Sequence, residues 1–214
     1  EIYTRKDTLS LHDALPISMS ALLNQLSVLT IVLTGAAMLR EREHGTIEHL
    51  MVMPLSPAEV ALSKVLAVMV IVLVAFVGSL VVVVKGVLGV PVAGPMPLLL
   101  AGTALYLWAA AAIGMLLGTL ARSMAQFALL IIMVIIPIIM LSGGFSAIES
   151  QPEAVQHLTF FLPSRHFLAF AKAVAFRGAG IEALWLPVAM MAALGAVSFA
   201  ASLALFRRSM SVTG

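Results

Sequence analysis

The sequence predicts an all-α fold, a polytopic transmembrane helix bundle with five membrane spans. Three observations carry this. The chain is 62% hydrophobic and 10% charged, with a mean hydropathy of +1.12, whereas soluble domains hold roughly 45–50% apolar residues. Its charges stand between apolar blocks instead of dotting them. Most of the blocks hold about twenty residues, enough at about 1.5 Å per residue to cross a bilayer core of about 30 Å. The net charge of +2 comes from few groups and gives no footprint for nucleic acid; it reflects topology, since Lys and Arg collect on the cytoplasmic side of spans. The absence of cysteine excludes disulfides and thiolate metal or redox chemistry.

The first stretch, EIYTRKDTLSLHDALPIS, differs from everything after it. It holds Glu1, Arg5, Lys6 and both aspartates of the chain, Asp7 and Asp13. A signal peptide would show a basic start and an apolar run, and neither is present. The stretch resembles translated sequencing-adapter read-through. Residues 1–18 are therefore read as a non-native tail without specific packing contacts, 19–208 as the bundle, and 209–214 as a short cytoplasmic tail.

The spans are expected at about 20–39, 65–84, 98–120, 127–141 and 183–206, and none contains Asp, Glu, Lys or Arg. The fourth is short unless it borrows from ARSMAQ before it, and Pro137 is expected to kink it. Placing 40–57 in the cytoplasm puts Arg122, Arg207 and Arg208 there too. Lys85, Arg165, Lys172 and Arg177 then fall outside, three of them in one long loop, where charges count less. The first span thus starts outside, so an upstream span is expected to carry the chain across. Small residues recur every four positions on two spans: Ala110, Gly114 and Gly118, then Ala192, Ala196, Ala200 and Ala204. Such stripes let helices approach closely in lipid, and both are expected to pack within one subunit.

Between the first two spans lies REREHGTIEHLMVMPLSP, residues 40–57. Gly45-Thr46 offers a cap, and Ile47, Leu50 and Met51 share one helix face. Pro54 stops that helix. Ser56-Pro57-Ala58-Glu59 then gives an N-cap, a proline at the first helical position and a glutamate at the third, so a new helix enters the membrane. Lys64 reaches back toward the headgroups. One reading of 40–57 is a membrane-surface helix with snorkelling basic residues. Against it, Glu41, Glu43, Glu48 and Glu59 would be repelled by an anionic leaflet. Mixed charge around a small apolar face suits docking to a protein.

REREHGTIEHLMVMPLSPAEVALSK resembles the cytoplasmic signature of the type-2 ABC exporter permeases, R-E-x-E-x-G-T-x-E-x-L followed by P-x-[ST], then E and K. Downstream, LSGGFSAIESQPEAVQ and LPSRHFLAFAKAVAFRG look like that family's outer re-entrant region, here 142–180. The resemblance covers about 19–208; Ser63 departs from it, where many members have Gly. It implies a permease of six spans that works as a homo- or heterodimer in membrane lipid. It implies further that 40–57 is a coupling helix docking on a cytoplasmic ABC ATPase subunit, which would hold the ATP and Mg. Glu41, Glu43, Gly45, Thr46, Glu48 and Leu50 occupy the signature positions, with Met51 beside them. Many relatives also carry an extracytoplasmic domain between spans one and two.

The chemistry the sequence lacks narrows the function. It holds no G-x-x-x-x-G-K-[ST], so it cannot itself cradle ATP phosphates, and it is not read as an enzyme. Apolar spans without ionisable groups weigh against proton-coupled transport. His44 and His49 do not share a helix face well. Glu153 and His157 do, but two ligands without a third make solvated interfacial residues the better reading. No cofactor is expected on this chain. On the outer side, short helices are expected near 152–161 and 165–176, separated by Leu162-Pro163. Phe167, Phe170, Ala171 and Val174 form an apolar stripe opposite His166 and Lys172, as in a helix lying at the membrane interface. Glu153, Phe167 and Phe170 are outer-gate candidates; simple capping of the bundle is the other reading. Two function classes remain, the membrane half of an ATP-driven exporter and a non-transporting anchor for a cytoplasmic complex. The outer closure favours the exporter, because an anchor needs none.

Overall fold

The computed structural model describes residues 2–43, 57–87, 93–141 and 152–211, and among them every regular element is helical. The elements in order are α1 (Ile2–Glu43), α2 (Pro57–Ser79), a π-helical stretch (Leu80–Val87), α3 (Met96–Leu120), α4 (Met124–Leu141), α5 (Glu153–Thr159), α6 (Pro163–Arg177) and α7 (Ile181–Ser211). Five helices are long and apolar enough to cross a membrane: Ser20–Glu41, Ala58–Val82, Met96–Leu120, Met124–Leu141 and Ile181–Phe206. These are the five expected spans. The fourth gains its length by beginning at Met124, and the helix continues past Pro137 to Leu141. α2 opens on Pro57 with Glu59 in its first turn, as the capping pattern requires. Residues 2–18 continue the same helix as the first span; the side chains before Ser20 lie outside the described part.

α3 is the axis of the bundle. Of its span, 61% is buried, against 17% for α4 and for α7. Its small residues explain why. A Cβ added at Gly114 would meet the Ile31 carbonyl oxygen and lie 2.9 Å from the Ile31 Cα, and one at Gly118 would lie 3.0 Å from the Gly35 Cα. α1 and α3 thus touch backbone to backbone, an approach that the missing Cβ of Gly114 and Gly118 allows. On α3's other side, Gly195 of α7 receives the Trp108 ring. The two sequence stripes therefore part company. The one on α3 packs inside the subunit, whereas Ala196, Ala200 and Ala204 on α7 are exposed. α7 meets α3 through Gly195, one residue off the alanine row.

Several buried hydroxyls of the spans donate back along their own helix, whereas Thr34 Oγ1 is buried without a partner among the described residues. Ser27 donates to the Leu23 carbonyl, Thr30 to Leu26, Thr103 to Leu99 and Thr119 to Met115, each one turn back. Two hydroxyl pairs also cross between helices, Ser27 to Tyr106 at 2.5 Å and Thr119 to Ser202 at 3.5 Å. A main apolar core gathers α1, α2, α3, α4, α6 and α7 around Tyr106, Phe76 and Phe167. A smaller one (Met38, Val65, Met115 and Phe206 among others) closes the inner end.

Candidate functional site

The connection expected in the cytoplasm begins where α1 ends. Glu41 pairs with Lys64 of α2, both side chains about one-quarter exposed. Glu43 turns the other way, and its Oε1 accepts from the Met124 backbone N–H at 3.0 Å. That N–H is one of the donors a helix start leaves unmatched. The neighbouring donors have their own partners. Gln126 N–H donates to Ser123 Oγ at 3.3 Å, Phe127 N–H to the Ser123 carbonyl at 2.9 Å, and Arg122 N–H to Gln126 Oε1 at 2.8 Å. The start of α4 is therefore capped partly by its own residues and partly by α1. Ser63, the departure from the signature, donates to the Val60 carbonyl on the exposed side of α2. Of the expected docking residues, Glu41 and Glu43 are described; Gly45, Thr46, Glu48, Leu50 and Met51 lie outside the described residues.

The outer segment forms the two short helices the sequence suggested, α5 and α6, with Leu162 as N-cap and Pro163 at the first helical position of α6. Arg165 locks them together. Its Nη1 donates to the Gln156 carbonyl at 2.6 Å and to Thr159 Oγ1 at 2.7 Å, and its guanidinium lies over the Phe160 ring. His166, expected on the polar face, is buried instead. Its Nε2 meets the Phe160 carbonyl at 2.8 Å, which requires the proton on Nε2. Burial holds its pKa below the usual histidine value, with the Phe160 carbonyl opposing and nearby Arg165 adding to the depression. The imidazole is thus kept neutral. α6 ends on Gly178 in the left-handed region, φ 62°, where its N–H reaches the Ala173 carbonyl. Ala93 N–H donates to the Ala175 carbonyl and ties the loop before α3 to the same end.

The outer-gate candidates separate. Glu153 is exposed on α5, whereas Phe167 and Phe170 are buried. Phe167 stacks on Tyr106 with centroids 4.0 Å apart and planes 5° apart. Phe170 lies against Gly102, where an added Cβ would be 3.0 Å from its Cδ1. The apolar stripe of α6 therefore faces α3, not lipid. An apolar stripe serves equally against lipid or a neighbouring helix, so periodicity alone could not separate the two. Tyr106 and Gly102, on one face of α3, were the missed members of this junction. Their spacing of four was the available signal. Among the described residues no three His, Asp or Glu side chains stand together.

The expected topology, with 40–57 in the cytoplasm and 142–180 outside, can be checked by labelling. In a cysteine-free background, His157→Cys should react with an impermeant thiol reagent from outside, and Ser123→Cys only from the cytoplasm. The reverse pattern would turn the bundle over.

Comparison with known proteins agrees with the geometry. A family described as ABC-2 family transporter protein matches residues 10–204. The inner membrane transport permease YhhJ of Escherichia coli K12 is 47% identical over 189 residues, covering 88% of this chain and 50% of its own length. The E. coli K12 protein named Probable multidrug ABC transporter permease YbhR is 28% identical over 193 residues, 89% of this chain and 51% of its own. Probable multidrug ABC transporter permease YbhS, from the same strain, is 31% identical over 147 residues, 67% and 38% respectively. The chain spans about half the length, or less, of these relatives. No solved structure matches. Five apolar spans, a glutamate-rich inner connection and a match over most of the sequence make this multi-pass membrane protein a member of the ABC-2 transporter family.

Proposed function

We propose that this chain is the membrane-spanning part of an ATP-driven exporter permease in a bacterial inner membrane, working as a dimer with a separate ABC ATPase. The carrying observation is the inner connection. The REREHGTIEHL signature lies in the connection between the end of α1 and the start of α2, and both glutamates described there are held in defined contacts. Family membership and the permease names of the relatives support the same reading. In it the ATPase supplies ATP and Mg, and the residues between α1 and α2 take up its motion. Glu48, Leu50 and Met51 form the docking face. The closed outer junction of α5, α6 and α3 fits a substrate path that opens outward only when driven. Largely apolar spans, whose buried polar groups among the described residues are hydroxyls and one amide, admit drugs, lipids or lipid-linked glycans.

The test is co-purification of the full-length permease with its cognate ATPase, followed by ATP hydrolysis in liposomes. Leu50→Ala should weaken the complex by about 1–3 kcal/mol, as for an interface anchor. Glu48→Arg, beside the apolar face, should weaken it too, with a salt dependence expected of a charged rim. Both variants should insert normally, because neither position lies in the hydrocarbon. Wild-type binding and hydrolysis by both would leave 40–57 an ordinary surface helix.

A further inference from the structure

The two glutamates at the end of α1 stand two positions apart, and residues so spaced on a helix point to different sides. Each finds a different neighbour: Glu41 takes Lys64 of α2, and Glu43 takes the first N–H of α4. α4 needs such a hold. Among its described residues only Phe127, Ile135 and Ile138 are buried. Phe127 is its first buried residue, and that ring sits where a Cβ on Gly35 of α1 would stand. The inner end of α4 is thus held by α1 at two points, a ring in a glycine notch and a carboxylate on a helix start. A negative group there also meets the positive end of the helix dipole.

We infer that Glu41 and Glu43 act within the subunit as a two-sided clamp, and that Glu43 is a positioning residue which passes movement of 44–56 to α4. This rests on reading 40–57 as the coupling element. It assigns these two carboxylates to contacts within the subunit, Glu43 while its side chain stays exposed, and leaves docking to the residues after them. The clamp gives the spacing of the E-x-E pair a purpose, since one glutamate alone reaches only one flanking helix. α4, the least buried span together with α7, is then the one displaced when the connection moves.

Hydrogen–deuterium exchange on the full-length protein in nanodiscs reads the clamp directly. Glu43→Ala should speed exchange of the peptide 122–128 by about two- to fivefold, the effect of a carboxylate at a helix start. Glu43→Gln, which keeps an acceptor oxygen, should restore much of the protection, and Glu41→Gln should leave that peptide unchanged. In the complex, Glu43→Ala should co-purify with the ATPase as wild type does, yet lose at least about twofold in vanadate-sensitive hydrolysis. Unchanged exchange in Glu43→Ala would refute the clamp. Loss of ATPase binding equal to that of Leu50→Ala would refute it as well, by making Glu43 a docking contact. If wild type itself captures no ATPase, the exporter reading fails, and the exchange experiment still decides whether Glu43 holds α4.

Discussion

Replacing Gly114 with valine should force α1 and α3 apart and leave little monodisperse protein in detergent. An added Cβ there meets the Ile31 carbonyl oxygen and lies 2.9 Å from its Cα and 3.0 Å from its carbonyl carbon. These are backbone atoms in the middle of a helix, so no side chain can swing away to make room. Separation of the two helices would also stretch the Ser27–Tyr106 bond and empty the core between them. The cost should lie at or above the upper end of the roughly 1–3 kcal/mol typical of overpacking. Gly118→Val should behave alike, because it strikes the Gly35 backbone. Gly78→Val on α2 is the matched control, since nothing lies within 4 Å of a Cβ added there. The measurement is melting temperature and size-exclusion profile of the purified protein. A Gly114→Val protein as stable as the Gly78→Val control would refute the backbone contact.

Phe167→Ala carries the second large effect. The ring is 1% exposed and stacked on Tyr106, itself 1% exposed. Truncation leaves a void between α3 and α6, and losses of about 3–5 kcal/mol follow such changes in protein cores. The damage should be local first. Protease sensitivity and amide exchange should rise across 152–177 before the spans loosen, because α5 hangs on α6 through Arg165 and Thr159. Phe167→Leu should recover part of the loss. Phe161→Ala, at a ring 68% exposed, should change melting little. Equal effects of Phe167→Ala and Phe161→Ala would return α6 to the membrane interface.

The contrast between those two phenylalanines shows what the residues alone could and could not convey. Hydropathy and the placing of charges sufficed for the five spans, since lipid tolerates no unpaired charge along a helix. Pro152 and Leu162-Pro163 sufficed for the starts of α5 and α6, because proline marks a first turn. Which way a stripe turns is a different matter. Phe167 faces Tyr106 and Ala196 faces outward, yet both belong to apolar rows of helical period. His166 looked like a surface residue until the Phe160 carbonyl gave its Nε2 a buried partner. Glu43 is exposed, as a rim charge would be, but its partner lies 81 positions away, beyond any local pattern. The resemblance of 40–57 to a known signature singled out a region in which only Glu41 and Glu43 of the expected docking residues are described. The structure added that two of its charges are occupied inside the subunit.

The backbone contact of α1 with α3 has a mechanical consequence. Two rods that slide past one another bend easily, whereas two bonded along their length behave as a laminated beam. Gly35, Gly114 and Gly118 supply the lamination, and the Ser27–Tyr106 bond acts as a rivet. From Arg40 to Ser20 the beam runs about 30 Å, at about 1.5 Å per residue. A tilt imposed at its cytoplasmic tip is then not absorbed on the way. It reappears as a sideways swing at the far end, beside the junction that Tyr106 and Phe167 close, so under the proposed coupling role of 40–57 the driven tip and that junction share one stiff arm.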